Sequence, residues 1–444
     1  MRRRANILLL AIIFTMSALA ADPVKLIVLD PGHFHAALVQ KDMYAAIDPS
    51  VSVYAPLGPD VVDYLNRIAL FNTRKENPTA WIIDLHAGPD FFERMLKERR
   101  GNVVILAGRN LPKIDRIEAS IHAGLNVLAD KPWIISSRDL PRLERVLEQA
   151  AKNNLVAYDI MTERFEITSI LQKELIDNQD IFGTLIIGTA EVPAVRARSV
   201  HHLMKVVAGV PLRRPVWFFN VNEYGEGLAD VGTHVVDLVQ WTAFPHDAID
   251  YRRDIQIESA RRWPTIISQS DFERVTGEKD FPASLAANIK DRKLNYDCNN
   301  AVRYTVRGAR VALDISWNWE SETGDVYEAT FHGTKSRIEL RQGAAQHFVP
   351  ELYVVSQHPG VFMALHRWAA SMQKLYPGLA VEPHASEARI VIPPKFRVGH
   401  EDHFGQVTKR FFEYLQAPAT LPKWEQSNML VKYFISTRGV EMAR

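Results

Sequence analysis

Val24-Lys25-Leu26-Ile27-Val28-Leu29-Asp30-Pro31-Gly32-His33-Phe34-His35 is the stretch on which the fold turns. A short β-rich apolar run ends in a turn built around one glycine, and helical spacing follows from about Phe34 to Ala46. The same unit recurs downstream. Strand-like runs at 51–54, 80–85, 103–107, 126–129 and 156–159 alternate with helical patterns at 61–69, 91–99, 114–123 and 140–153. Alternation at this spacing predicts a parallel, doubly wound sheet. Ligands of such sheets bind beyond the carboxyl ends of the strands, near the switch in strand order. The loops at Gly32, at Gly108-Arg109-Asn110 and at Asp130-Lys131-Pro132 all follow strands and should share one sheet edge.

Upstream of this unit, Arg2-Arg3-Arg4, the apolar run 7–16 and Ala18-Leu19-Ala20 have the form of a secretory signal peptide over residues 1–20. The chain is therefore expected to be exported, with a periplasm as the compartment. Arg3-Arg4 leaves both the general and the twin-arginine export routes open. No later stretch is apolar enough to span a membrane. Cys298 is the single cysteine, so no disulfide framework is expected. Loss of the three leader arginines takes the formal charge from +1 to −2, which gives no reason to expect nucleic acid as a partner.

Downstream, a chain of 444 residues is long enough for two domains, and the pattern changes after about residue 180. Runs at 185–192, 302–306, 310–318, 326–332 and 336–340 read as strands with few helices between them. An antiparallel sheet is expected there, and an α+β domain over 161–444 behind a dinucleotide-binding domain over 21–160. Residues 195–215 read as a basic loop over a site, and 404–415 and 427–438 as amphipathic helices.

Three motifs carry chemistry. The turn at Pro31, Gly32, His33 and Phe34 could cradle a diphosphate, but the full three-glycine pattern is absent. His33 and His35 also have the alternate spacing of a metal-ligand pair; no Asp/His set after later strands is evident to complete them, so no metal is expected. Lys131, at the end of a strand, places a cation where an alkoxide could form. Asp230, His234 and Asp237 lie at helical i, i+4 and i+7 positions, so a carboxylate one turn away could orient the imidazole and raise its basicity, as suits a histidine taking a hydroxyl proton. The aromatic run Trp217-Phe218-Phe219 could stack on a sugar but reads better as core.

The order of these pieces resembles the glucose–fructose oxidoreductase, inositol dehydrogenase and MocA family. The resemblance rests on Asp130-Lys131-Pro132, on the run from Gly227 through Asp237, and on His332-Gly333-Thr334-Lys335-Ser336. It implies a Rossmann domain joined to an open-sheet domain, NAD or NADP as cofactor, and a sugar, cyclitol or glycoside as the small-molecule substrate. Lys131, Asp230 and His234 would be catalytic, with Asp230, His234 and Asp237 on the substrate side. Pro31, Gly32, His33, Phe34, Gly108, Arg109, Asn110, Asp130, Lys131 and Pro132 would line the cofactor. A homo-oligomer would follow from the open sheet. The chain departs from the family pattern at the single-glycine phosphate loop and at Ala55-Pro56, where no acid ends the second strand. The choice between NAD and NADP stays open. Export favours a tightly held, internally recycled cofactor, which admits redox-neutral glycoside cleavage by transient oxidation; a non-catalytic sugar-binding relic is the other alternative.

Overall fold

The computed structural model describes residues 23–444 except 208, 209, 212, 246, 322 and 323. The leader reading of residues 1–20 lies outside the described residues. Six short strands alternate with helices: β1 (Leu26–Leu29), α1 (His35–Leu38), β2 (Ser50–Ala55), α2 (Pro59–Thr73), β3 (Ile82–Ala87), α3 (Phe91–Glu98), β4 (Val103–Leu106), α4 (Lys113–His122), β5 (Asn126–Ala129), α5 (Leu140–Lys152) and β6 (Ala157–Asp159). They form one parallel sheet in the order β3-β2-β1-β4-β5-β6. Strand order reverses between β1 and β4, so the loops after these two strands flank the crevice. Leu26, Ile27, Val28 and Leu29 are all buried because helices cover both faces, which is why β1 is apolar without alternation.

The second domain is a ten-stranded sheet. Its spine runs through 255–267, 293–306, 309–320, 195–204, 326–332, 337–342, 351–355, 387–391 and 380–384. Pairing is antiparallel except between 309–320 and 195–204. The architecture is therefore α/β, with a Rossmann-like first domain and a mainly antiparallel second one. The helix Val231–Ala243 packs on this sheet, and Lys423–Ala443 packs against both that helix and strand 255–267. The helix His400–Gln416 crosses back: its Phe404, Val407, Phe411 and Phe412 join Leu26, Val28 and Tyr158 in the core on one Rossmann face. No helix among the described residues is long and apolar enough to cross a membrane.

Three local expectations are corrected. The helix expected over 34–46 stops at Leu38, because side chains take the next carbonyls: Trp81 Nε1 donates to Gln40 O and Arg74 to Lys41 O, both at 2.6 Å. Residues 185–192 form isolated bridges rather than a strand; Gly188 is left-handed (φ 74°) and its partner Pro193 has no N–H to give. The basic loop expected at 195–215 is, over Val195–Met204, a central strand of the large sheet. Its arginines Arg196 and Arg198 point outward while Val195 and Ala197 point in, a period of two.

Candidate active site at the carboxyl edge of the Rossmann sheet

Lys131 leaves the end of β5 and reaches the second domain. Its ammonium donates to Asp230 Oδ1, and both residues are buried. Asp230 caps the helix Val231–Ala243 by position, not by its carboxylate, which is free to face Lys131. Burial opposes the lysine's charge, but Asp230 and Asp130 hold its pKa above the ordinary value. Burial likewise opposes the Asp230 carboxylate, and Lys131, helped by the Tyr224 hydroxyl, holds it below the usual range. The pair is charged. One turn on, burial and the Lys131 cation push His234 well below an ordinary histidine. Its Nδ1 is buried and has no partner among the described residues. A neutral imidazole with a free ring nitrogen therefore stands beside a fixed cation.

Asp237, on the same helix, does not join them. Arg164 grips it with two hydrogen bonds of 2.6 and 2.7 Å, and Lys432 lies 3.3 Å away. Lys432 also reaches Asp159 at 2.9 Å, and Arg164 reaches Glu425 at 2.7 Å. The substrate role expected of Asp237 is thus replaced by a buried network tying the end of β6 to the last helix. Phe218 and Phe219 are core, at 2% exposure each.

The loop after β1 has a different character. Asp30 takes the left-handed conformation (φ 47°) that a glycine usually provides. Gly108 is required beside it: a Cβ there would lie 2.5 Å from the Asp30 carbonyl oxygen. A Cβ on Gly32 would meet Trp217 at 3.2 Å and Asp60 Oδ2 at 3.3 Å. The indole N–H donates to that same Asp60 oxygen at 3.1 Å, and Arg109 donates to it at 3.0 Å. Glu223 O accepts the amides of Asn110 and Leu111, tying the segment after Trp217 onto the β4 loop. Asn110 Nδ2 donates to Tyr224 O at 2.6 Å. Phe34 turns away, under Arg67.

His33 and His35 turn their Nδ1 atoms inward, toward Asp130. Their Nδ1 atoms lie 3.0 and 2.9 Å from one oxygen, Asp130 Oδ2, and the rings are 3.9 Å apart. Asp130 is therefore the third group, following a later strand, that sequence reading did not find for this pair. Burial holds His35 neutral, and the two imidazoles hold the buried Asp130 carboxyl well below its ordinary pKa. Lys113, pushed down to about 8 by burial, donates to Asp130 O at 2.8 Å and to Asn110 Oδ1 at 2.6 Å. Pro132 follows Lys131 through a cis peptide, and Pro31 is buried in the turn.

Sequence reading missed three further groups. His201 lies 3.1 Å from Asp325 and packs on Trp317 with ring centroids 5.1 Å apart. His400 sits at the start of the returning helix, its ring 5.5 Å from that of His35. Glu163, after β6, is pushed up to about 7 by burial and by Glu166, with Lys131 opposing. None had a spacing signal: His201 is placed by strand pairing within the large sheet, and His400 by the helix that crosses back onto the first domain.

Residues 171–444, more than half of the chain, match the family described as "Putative oxidoreductase C terminal domain", and the chain belongs to that oxidoreductase family. The crystal structure of a "putative oxidoreductase" from Parabacteroides merdae is 44% identical, covering 95% of this chain and 98% of that one, with a TM-score of 0.92. More distant solved structures share the fold. A mutant of KijD10, a 3-ketoreductase from Actinomadura kijaniata in complex with TDP-benzene and NADP, is 13% identical over 95% of this chain and 98% of that one (TM-score 0.57). GenD2 from gentamicin A biosynthesis, in complex with NAD, is 14% identical over 96% of each chain (TM-score 0.56). No curated protein matches.

A nicotinamide cofactor is therefore found in neighbours of this fold, and the two ends of the crevice meet that group differently. The Lys131 end fits it: a charged Lys131–Asp230 pair lies one helical turn from an imidazole with an orphaned nitrogen. At Gly32, Trp217 and the Asp60 carboxylate occupy the side toward which a Cβ would point.

Proposed function

We propose that this chain is an exported, NAD(P)-dependent oxidoreductase acting on a carbinol carbon of a sugar, cyclitol or glycoside. The observation that carries the reading is the buried Lys131–Asp230 pair beside the unpartnered Nδ1 of His234. When bound, the nicotinamide would supply or accept the hydride. Lys131 would hold the substrate oxygen and stabilise its negative charge, the role preorganised cations play in low-dielectric sites. Asp230 keeps that ammonium in place and charged. His234, neutral at physiological pH, would take the hydroxyl proton or return it. Backbone amides of Phe34 and His35, the Arg109 guanidinium and Asn110 are the groups nearest the expected path of the dinucleotide. Trp217 and Asp60 would have to yield where it crosses Gly32.

His201, held by Asp325 and with 28% of its side chain exposed, would offer a polar contact to a hydroxylated substrate. An exported enzyme would meet no free nicotinamide pool, so the cofactor should be retained through turnover. The leader-like residues 1–20 support export to a periplasm. A second reading, a sugar-binding relic, is favoured by the filled space over Gly32. Denaturing the purified mature protein and analysing the released small molecules by absorbance and mass separates the two. NAD(H) or NADP(H) in near-equal ratio to the chain is expected. An empty protein that also fails to bind added NAD(P) would end the oxidoreductase reading in favour of the relic.

A further inference from the structure

His33 is in the turn after β1, His35 opens α1, and Asp130 follows β5. Two loops of the sheet edge, after β1 and after β5 with β4 between them, thus deliver two imidazoles and one carboxylate to a single point. We propose that these three residues form a binding site for one divalent first-row metal ion of the zinc or iron(II) class, with its remaining coordination positions open to the crevice at His33. This site stands whether or not a dinucleotide is retained.

The donor spacing carries the first part of the argument. The two Nδ1 atoms lie 3.0 and 2.9 Å from Asp130 Oδ2, and all the donor atoms fall within 4.8 Å of one another. Ligands about 2.0–2.2 Å from a tetrahedral ion stand roughly 3.4 Å apart, so small ring movements would seat one. The second part is polar satisfaction. As a purely hydrogen-bonded cluster, both imidazoles crowd onto Oδ2 while Asp130 Oδ1, equally buried, has no partner. Asp130 is 3% exposed, and leaving a buried carboxylate oxygen unpaired is costly. An ion bound by this carboxylate removes the conflict, since either oxygen can ligate.

The surroundings hold the ligands without using their donor atoms. Asp130 is fixed through its backbone: its N–H donates to Leu106 O at 2.7 Å and its carbonyl accepts Lys113. The His35 ring packs against Phe404 and His400 of the returning helix, with centroids 4.5 and 5.5 Å away. Backing of this kind orients metal ligands. His33 provides the entry path, with 19% of its side chain exposed, against 7% for His35. The donor set decides the ion. Two imidazoles and a carboxylate suit zinc, or iron(II) with open positions, whereas magnesium and calcium prefer all-oxygen shells.

The test uses the untagged full chain, stripped by chelator and titrated with Zn2+ and Co2+ aerobically and with Fe2+ under anaerobic conditions. One ion per chain is expected, with a cobalt visible spectrum of low-coordinate form. His33→Gln and His35→Gln should each weaken binding at least 100-fold and abolish that spectrum, while His86→Gln, on β3 away from the cluster, should change neither. Circular dichroism checks that the variants fold. Metal analysis of the protein as isolated then distinguishes zinc from iron. No stoichiometric ion in any of the three titrations would overturn the proposal. So would a His33→Gln/His35→Gln double variant that folds and binds as the parent does.

Discussion

Two loops of the shared sheet edge, one after β1 with Gly32 and one after β5 with Lys131, make an instructive pair. At the Lys131 loop, charge is matched in advance: a buried cation meets a buried carboxylate, and a neutral imidazole is left with a free nitrogen. At the Gly32 loop, the backbone path of a dinucleotide site persists while its space is taken. Asp30 adopts a glycine-like φ, Gly108 still permits the close approach, and yet Trp217 and Asp60 sit over Gly32. One end of the crevice is prepared for a reacting group, and the other is closed by side chains from both domains. Fold alone does not distinguish these conditions, because the solved neighbours share the topology; the side chains do.

Lys131→Met gives the largest contrast between the two ends. It should lower kcat by about 10³-fold, within the usual range for a lost charge-stabilising or acid–base group, and leave sugar affinity within a few-fold. Equal losses in turnover and binding would move Lys131 from chemistry to simple substrate contact. Gly108→Ala tests the other end through the fold. Its Cβ would lie 2.5 Å from a backbone oxygen, so neither partner can rotate away. A loss of about 3 kcal/mol in unfolding free energy by denaturant titration is expected. A neutral result would mean the two loops are not held as close as they stand here.

How much of this was legible in the sequence follows from where each signal originates. Alternating strands and helices are local patterns, so the parallel sheet and the shared edge of its three loops could be read directly. Lys131, Asp230 and His234 could be singled out because two short motifs, one on a loop and one at a helix start, carry them, and the fold brings Lys131 onto Asp230. Asp237 fits the same helical spacing as Asp230, yet Arg164 and Lys432, remote in sequence, claim it. The His33/His35/Asp130 meeting joins residues 95 and 97 apart and needs the strand order to be known. Trp217 read correctly as buried, but its seat on Gly32 depends on how the domains dock. The Val195–Met204 strand was hidden by its arginines, which are the outward half of a two-residue period.

Glu163 measures how dry the Lys131 end is. Its carboxyl is raised to about 7 from 4.5, chiefly by burial. Between these values the folded state binds more protons than the unfolded one. The contribution is therefore fully present below about pH 4.5 and is lost as pH rises through 7. Glu163→Gln should flatten the stability profile across that window by roughly 2–3 kcal/mol. An unchanged slope would place the carboxyl in water, and the Lys131 end would then be no drier than the surface.

The smallest effect bears most directly on the closed end. Asp60 accepts from both Trp217 and Arg109 over Gly32, and burial raises its pKa with Arg109 opposing. A diphosphate crossing Gly32 would meet this carboxylate at close range, where like charges at an effective dielectric near 20 repel by a few kcal/mol. Arg109 already cancels much of that field, so Asp60→Asn should tighten NAD(P) binding only about five- to tenfold, or roughly 1–1.4 kcal/mol. The asparagine keeps the size and an acceptor for the indole, so the gain would come from charge. Calorimetric titration of the cofactor-free protein measures it. If affinity is unchanged, the dinucleotide does not pass over Gly32, and the path inherited from the parallel sheet is no longer the path of the ligand. If affinity rises while turnover stays constant, Asp60 is a brake on the closed end alone, and the Lys131 end works independently of it.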